Sequence, residues 1–230
     1  MRPVVLVHGA WHGPWCWDRV TPLLDAGGVR WAAADLPSCA DADAGAGLVE
    51  DVQRVERILD ELPGDEPAIL VGHSRAGLVI SEAGAHERVG QLVYLTAFLV
   101  EPDSSYREMV ADTVLPILEV GPDAVALPKA ELGAPVFYND CAPGDVRWAQ
   151  ARLRPMHMAG APIEPPRRAW ASRPTTYVVC ALDGAIPAHH QRRMAEQATH
   201  VVEWNTGHSP FINRPDLVAD LLLGLAAAET

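Results

Sequence analysis

Three polar residues far apart in the sequence, Ser74, Asp183 and His208, have the types needed for nucleophilic catalysis. Ser74 is the centre of the pattern Gly-x-Ser-x-Ala-Gly (72–77), which follows the apolar run 68–71. A serine on a tight turn between a buried strand and a helix is raised above the end of a sheet, in the arrangement called a nucleophile elbow. A simpler interpretation is an ordinary turn in which the serine caps a helix. The rest of the chain must therefore supply a base, an acid and donors for an oxyanion.

The candidates for the base and the acid each lie in a loop that follows a predicted strand. A serine hydroxyl is a poor nucleophile at neutral pH and needs an imidazole that is held by a carboxylate. His208 lies in the loop 205–210, before the last predicted helix, and Asp183 directly follows the apolar run 177–182. In an α/β sheet such loops lie at the carboxyl edge, where Ser74 is also expected. We predict that Ser74, Asp183 and His208 are the nucleophile, the acid and the base.

Two main-chain N–H groups are predicted to form an oxyanion hole. Ala10 follows the first predicted strand and Arg75 follows the nucleophile, so both amides are expected where negative charge develops. Whether the Arg75 side chain points at the substrate or pairs with a carboxylate is left open by the sequence. The candidate residues of the substrate pocket are Gly9, which lets the main chain approach the substrate, together with Trp11, His12, Trp148 and Ser209.

The composition is that of an ordinary globular protein with an acidic balance. The chain has 230 residues and a formal net charge of −12, which argues against a nucleic-acid partner or an anionic membrane surface. The four cysteines lack the spacing of a metal site, so we expect free thiols and no metal. Neither a signal-peptide pattern nor an apolar stretch of membrane-spanning length is present in the sequence, and we expect a cytoplasmic protein.

Short apolar runs alternate with helical patterns along most of the chain. The runs are continuously apolar, which is typical of parallel strands covered on both faces. Strands are predicted at 4–7, 30–34, 68–71, 91–98, 175–182 and 200–204. Helices are predicted at 15–24, 48–62, 78–85, 188–197 and 214–228. The sequence therefore predicts an α/β protein with a mostly parallel sheet and helices on both faces.

The alternating pattern is interrupted between residues 99 and 173. This stretch is irregular and rich in proline, yet it carries large apolar side chains such as Trp148 and Phe137. A disordered linker would not hold so many apolar groups. We predict a cap of short helices and loops at 99–173, inserted into a core formed by 1–98 and 174–230, within a single structural domain.

Four motifs in order resemble those of the α/β-hydrolase superfamily. They are His-Gly-Ala-Trp-His-Gly at 8–13, the elbow at 72–77, the strand and loop 179–187, and Gly-His at 207–208. More narrowly, the chain resembles the group that contains plant methylesterases, hydroxynitrile lyases and bacterial carboxylesterases. The resemblance implies an α/β-hydrolase fold with a six-stranded, mostly parallel sheet and an inserted cap. It also implies no metal or organic cofactor, and a possible homodimer.

Two positions depart from the lyase members of this group. The lyases carry a threonine where this chain has Gly9, and a cyanide-binding lysine where it has Ser209, so cyanohydrin cleavage is not expected. The expected function is a serine carboxylic-ester hydrolase that acts on a small, largely apolar ester through an acyl-enzyme. The alternatives are lactone or thioester hydrolysis, carbon–carbon cleavage or cyclisation by the same residues, or a ligand-binding member without catalysis.

Overall fold

A parallel sheet runs through the middle of the protein. The computed structural model describes residues 1–40, 45–101, 106–121, 124–158 and 167–228. Within these ranges the strands are β1 (Val4–Val7), β2 (Trp31–Ala34), β3 (Ala68–His73), β4 (Val89–Leu95), β5 (Leu118–Val120), β6 (Val125–Pro128), β7 (Met156–His157), β8 (Thr175–Cys180) and β9 (His200–Trp204). Six of them form one sheet in the order β2-β1-β3-β4-β8-β9, with every neighbouring pair parallel.

Helices connect the strands and cover the sheet. Within the described ranges they are α1 (Thr21–Ala26), α2 (Leu48–Glu61), α3 (Ala76–Ala83), α4 (Tyr106–Met109), α5 (Ala130–Phe137), α6 (Pro143–Gln150), α7 (Ala188–Ala195), α8 (Pro210–Asn213) and α9 (Pro215–Ala227). Every residue of β1 and β3 is buried. Because successive side chains of a strand point to opposite faces, this burial requires cover on both faces. The predicted α/β fold is confirmed.

Prolines mark the starts of the first and the last helices, and the first of these differs from the prediction. The helix expected at 15–24 is instead a short 3₁₀ turn, Pro14–Trp17, followed by α1, which has a proline in its first turn. The helix expected at 214–228 is α9, which begins at Pro215 as predicted, and the short α8 that precedes it was not predicted. A proline fixes φ and lacks an N–H, so it favours the start of a new helix over the interior of a longer one.

A second, small sheet lies in residues 99–173, called the inserted segment below. Its order is β5-β6-β7 and its pairings are antiparallel. Sequence analysis predicted only short helices and loops here. Its strands are two to four residues long, which is too short to show the alternating pattern from which strands are predicted. None of the helices in the described ranges is long and apolar enough to cross a membrane.

The turn between β3 and α3 brings two stretches of main chain unusually close together. A Cβ atom on Gly77 would overlap the main-chain oxygen of Phe98 and lie 2.7 Å from its nitrogen. The same Phe98 nitrogen donates a hydrogen bond of 3.1 Å to the main-chain oxygen of Ser74. Glycine at position 77 therefore allows the loop after β4 to lie against the turn.

Gly77→Ala is expected to lower the free energy of unfolding by about 1–3 kcal/mol, because the added methyl group must displace main chain. Gly224→Ala is the matched control. Gly224 is exposed in α9, where an added Cβ would meet nothing within 4 Å, and alanine is expected to stabilise the helix by up to about 1 kcal/mol. Urea unfolding of both variants measures the difference. Equal midpoints would contradict the close approach at Gly77.

Candidate active site

Ser74 lies on the turn in a backbone conformation that non-glycine residues rarely adopt. Its φ is +55°, in the left-handed region that costs about 1–3 kcal/mol for such a residue. Hydrogen bonds hold this conformation, because its main-chain oxygen accepts from the N–H of Gly77 at 3.0 Å and from that of Phe98. Ala76 is buried at the start of α3, so the turn holds a methyl group where a strict Gly-x-Ser-x-Gly pattern has glycine. The residue that must be glycine is the next one, Gly77, because the main chain of Phe98 lies against it.

The structure brings the three predicted catalytic side chains together. Nε2 of His208 lies 3.1 Å from Oγ of Ser74, and Nδ1 of the same ring lies 2.7 Å from Oδ2 of Asp183. A carboxylate only accepts hydrogen bonds, so Nδ1 carries the proton and Nε2 is the acceptor for the serine hydroxyl. His208 and Asp183 are both buried, whereas Ser74 is partly exposed. This is the arrangement in which an imidazole removes a proton from a serine.

The Asp183 carboxylate is held by a set of hydrogen-bond donors. Oδ1 accepts from the main-chain N–H groups of Ala185 at 2.6 Å and Ile186 at 2.9 Å. Oδ2 accepts from Nε2 of Gln191 at 2.9 Å and from the hydroxyl of Thr96, in addition to His208. Both carboxylate oxygens are therefore fixed, and the imidazole is oriented by a rigid partner.

Sequence reasoning did not find Gln191 or Thr96. Gln191 is fully buried in α7 and Thr96 lies directly after β4. Gln191 is itself fixed, because its Oε1 accepts from the N–H of Cys180 at 2.9 Å and its Nε2 also donates to the oxygen of Ile186 at 2.6 Å. The sequence places Thr96 inside the strand predicted at 91–98, whereas β4 ends at Leu95, so its position at the sheet edge was not visible from the sequence.

The loop after β1 passes directly behind the nucleophile. A Cβ atom on Gly9 would lie 2.8 Å from Nδ1 of His73 and 2.9 Å from Cβ of Ser74. Glycine is thus required for this approach. The next main-chain N–H, that of Ala10, has no hydrogen-bond acceptor among the described residues. A buried amide without a partner beside a nucleophile is suited to bind a developing oxyanion.

The Arg75 side chain pairs with a carboxylate in the protein. Its Nη1 donates to Oδ2 of Asp51 at 2.7 Å and lies 3.3 Å from the hydroxyl of Ser38. Asp51 is completely buried in α2, and its two oxygens also accept from the N–H and the hydroxyl of Ser38. The pair joins the start of α3 to α2. The sequence left open whether the Arg75 side chain points at the substrate or pairs with a carboxylate, and the structure shows the pairing with Asp51.

Three further histidines surround the site, and two of them fix main chain next to it. His8 donates from Nδ1 to the oxygen of Gly9 at 2.9 Å and accepts at Nε2 from the N–H of Leu36 at 3.1 Å. His73 donates from Nε2 to the main-chain oxygen of His208 at 2.9 Å. The neutral imidazole satisfies each of these bonds.

His12 is the third of these histidines, and like the others it is buried and neutral. Its Nδ1 donates to the oxygen of Ala10 at 2.8 Å, and its Nε2 accepts from the hydroxyl of Tyr138 at 2.9 Å. Burial lowers the pKa of His8 to about 4 and that of His12 to about 3. Burial also lowers the pKa of His73 well below its ordinary value. A charged ring would lose its hydration, and for His8 this cost outweighs the attraction of Asp35, whose Oδ1 lies 3.9 Å from Nε2.

An apolar cavity opens above Ser74 between the sheet-edge loops and the inserted segment. Counted with its mouth, it has an empty volume of about 610 Å³. From the loops, the described residues in its wall are Ala10, Trp11, Ser74, Arg75, Phe98, Ala185 and Ile186. From the inserted segment they are Val110, Val114, Leu115, Leu118, Phe137, Met156 and Met158. Such a wall favours an uncharged, apolar group next to the nucleophile.

Of the five candidate pocket residues, only Trp11 lies in the described wall of this cavity. His12 and Ser209 are buried in the protein interior, and Gly9 lies behind the nucleophile. Trp148 packs edge-on against Trp15, with ring centroids 5.3 Å apart, and its face is covered by the guanidinium of an arginine. Sequence position alone did not distinguish loop residues that face the cavity from those that support the loop.

Trp11 joins the loop after β1 to the inserted segment. Its φ is +61°, and its indole N–H donates to the main-chain oxygen of Ala126 at 3.0 Å. Its own main-chain oxygen accepts from the N–H of Arg154 at 2.8 Å. The Arg154 guanidinium adds a bond of 3.1 Å to the oxygen of His12 and one of 2.5 Å to Asp35. Residues of the inserted segment therefore anchor the loop that presents the Ala10 amide.

Residues 4–221 match the model of the alpha/beta hydrolase family. The chain belongs to the alpha/beta hydrolase family. It is similar to Methylesterase 2 of Arabidopsis thaliana, at 30% identity over 258 residues that cover 96% of this chain and 95% of the relative. The predicted resemblance to the plant methylesterase group is confirmed.

Solved structures of this family superpose over nearly the whole chain. A methylesterase from Arabidopsis has a TM-score of 0.80 at 27% identity and covers 98% of both chains. A pyrethroid hydrolase from Sphingobium faniae JZ-2 has a TM-score of 0.81 at 25% identity, covering 99% of this chain and 98% of its own. The chain is an enzyme of the hydrolase class, and the prediction of a serine ester hydrolase is confirmed. These relatives do not favour the alternative reactions.

The three buried histidines make stability depend on pH. Their pKa values are lowered by folding, so between about pH 6.5 and pH 4 the unfolded chain binds more protons than the folded one. The free energy of unfolding is therefore present in full above pH 6.5 and falls as the pH decreases. With three such groups the slope reaches at most about 4 kcal/mol per pH unit near pH 5. Urea unfolding at pH 7.5, 6.5, 5.5 and 5.0 measures it.

His12→Gln is expected to reduce this slope by the contribution of about one proton, because one histidine fewer titrates differently in the folded and unfolded chains. This holds whatever the effect of the substitution on the free energy of unfolding at pH 7.5. His200→Gln, which replaces an exposed histidine of β9, is the matched control and is expected to leave the slope unchanged. An unchanged slope in His12→Gln would contradict a neutral, buried ring at position 12.

Proposed function

We propose that Ser74, His208 and Asp183 are the catalytic triad of this ester hydrolase and that the reaction passes through an acyl-enzyme. The observation that carries the proposal is the continuous chain of hydrogen bonds from Oγ of Ser74 through the His208 ring to Asp183. The fixed carboxylate and the strained turn support it, because both restrict the geometry before substrate binds.

The first half of the reaction makes the acyl-enzyme. Nε2 of His208 takes the proton of the Ser74 hydroxyl while Oγ attacks the ester carbonyl carbon. The carbonyl oxygen becomes an oxyanion, which the N–H groups of Ala10 and Arg75 receive. The carbon–oxygen bond to the alcohol then breaks, and the proton on His208 passes to the leaving alkoxide.

The second half releases the acid. Water enters the place of the alcohol and gives a proton to Nε2 of His208 as its oxygen attacks the acyl carbon. The bond to Oγ of Ser74 then breaks, and the proton returns to the serine. Throughout both halves Asp183 stabilises the imidazolium form of His208 through Nδ1.

The substrate that fits the cavity is a small ester whose acyl group is apolar and uncharged. The described wall contains one charged side chain, Arg75, and its guanidinium is bonded to Asp51. The similar proteins named above are a methylesterase and a pyrethroid hydrolase, which suggests an ester of a small alcohol with a hydrophobic acid. The inserted segment, residues 99–173, acts as the cap over this site, and residues 1–98 and 174–230 form the core.

The four cysteines, Cys16, Cys39, Cys141 and Cys180, are free thiols. Free thiols are usual in a reducing compartment, which supports a cytoplasmic location. A homodimer is proposed on the family resemblance, and light scattering of the purified protein measures it. The acidic balance of the chain agrees with a small-molecule partner rather than a nucleic acid.

Ser74→Ala, His208→Ala and Asp183→Asn are each expected to lower kcat on p-nitrophenyl butyrate by on the order of 10⁴-fold or more. A fluorophosphonate should label the wild type once, at Ser74, as located by peptide mass analysis. Ser172→Ala, which replaces a serine in a turn outside the site, is the control and should keep full activity and labelling. Turnover that survives Ser74→Ala would overturn the proposal.

The apolar wall predicts discrimination by charge rather than by size. The methyl monoester of a dicarboxylic acid is expected to have kcat/KM at least about 10²-fold below that of the corresponding monoester monoamide, because burial of an unpaired carboxylate costs several kcal/mol. The two substrates differ little in volume. Equal kcat/KM values for the pair would contradict an acyl group bound against this wall.

A further inference from the structure

Three consecutive residues of the inserted segment, Tyr138, Asn139 and Asp140, contact three different loops at the carboxyl edge of the sheet. They directly follow α5. The three loops are those that present the Ala10 amide, the Asp183 carboxylate and the His208 imidazole. None of the three residues was singled out as functional by sequence analysis.

Tyr138 acts on the first loop through a histidine. Its hydroxyl is buried and donates to Nε2 of His12, which in turn donates from Nδ1 to the main-chain oxygen of Ala10. The main-chain oxygen can only accept, so Nδ1 of a neutral His12 carries the proton and Nε2 must accept from the Tyr138 hydroxyl. The hydroxyl of Tyr138 therefore sets the orientation of a ring that holds the peptide of Ala10.

Asn139 acts on the second loop. Its side-chain Nδ2 donates to the main-chain oxygen of Leu182 at 2.7 Å. Leu182 immediately precedes Asp183, so this bond holds the peptide that leads into the catalytic carboxylate. Leu182 is itself exposed and has little side-chain packing to hold it in place.

Asp140 acts on the third loop. Its Oδ2 accepts from the main-chain N–H of Gly207 and, at 2.6 Å, from Nδ2 of Asn213. A Cβ atom at position 207 would lie 2.6 Å from Oδ1 of Asp140. Glycine at 207 thus allows the carboxylate to reach the peptide that precedes His208, and the bond fixes the main chain next to the catalytic base.

We propose that Tyr138, Asn139 and Asp140 are positioning residues for the ester hydrolysis, and that Asp140 holds His208 in line with Ser74. The inference rests on the proposed function, because it assumes that Ser74 and His208 react. The three side chains touch no reacting atom, and they act through main-chain groups adjacent to those that do. A displacement of about 1 Å in such groups is enough to cost on the order of 10²-fold in rate.

Asp140→Ala is expected to lower kcat by on the order of 10- to 100-fold while KM changes by less than about twofold, because the cavity wall is untouched. Asp140→Asn is expected to restore kcat to within a few-fold of wild type, since its amide oxygen still accepts from Gly207 and Asn213. Rates are measured on p-nitrophenyl butyrate and divided by the concentration of sites titrated with fluorophosphonate, so that unfolded protein does not count.

Asp145→Ala is the matched control. Asp145 lies in the same segment, at the start of α6, and its carboxylate pairs with Arg19. Asp145→Ala removes a carboxylate of the same segment that is bonded to an arginine side chain and not to the main chain of any of the three loops, so kcat per titrated site is expected to stay at the wild-type value. Tyr138→Phe, which deletes only the hydroxyl bonded to His12, is a second and milder variant with the same expectation as Asp140→Ala: a lower kcat and an unchanged KM.

The outcomes separate the two proposals. Loss of kcat in Asp140→Ala, rescued by Asp140→Asn and absent in Asp145→Ala, supports positioning. Wild-type kcat per site in both Asp140→Ala and Tyr138→Phe would overturn it, as would an equal loss in Asp145→Ala. If the wild type hydrolyses no ester, the proposed function fails. Positioning is then tested by the labelling rate of Ser74, which Asp140→Ala should slow and which an unchanged rate would refute.

Discussion

The structure depends on one steric constraint, the close contact of main chain with main chain around Ser74. The left-handed conformation of Ser74 is unfavourable by itself, and it is held by hydrogen bonds from Gly77 and Phe98 to its main-chain oxygen. Those bonds form only because residue 77 has no side chain. Gly9 is under the same steric constraint, because a Cβ atom there would lie 2.9 Å from Cβ of Ser74. Two glycines far apart in sequence thus allow two loops to converge on a single hydroxyl.

Around this turn, the buried histidines are neutral and the buried arginine is paired with a carboxylate. His8, His12 and His73 are buried close to the site and neutral, so they supply hydrogen bonds without a competing positive charge. The Arg75 guanidinium is directed to Asp51. The Asp183 carboxylate is consequently the charged partner of the catalytic imidazole. In a site of low dielectric, such isolation strengthens a single ion pair when His208 becomes charged.

The sequence predicts what local patterns encode and misses what distant contacts create. Continuous apolar runs predict the strands, and the strand ends predict where Ser74, Asp183 and His208 lie. In the structure these three side chains are in hydrogen-bonding contact. The bonds from Gln191 to Asp183 and from Asp140 to Gly207 join residues of ordinary appearance across long separations. The side to which a loop residue points, as with His12, is decided by its partner Tyr138 and has no local signal.

The anchoring of the sheet-edge loops by the inserted segment limits how such an enzyme can be recombined. An exchange of residues 99–173 for the equivalent region of a relative replaces the part of the cavity wall that this segment supplies. It also replaces Arg154 and Ala126 and the bonds they make to the loop after β1. Selectivity and rate are therefore coupled in this chain. A chimaera that changes only substrate preference must keep these anchors and vary the apolar side chains between them.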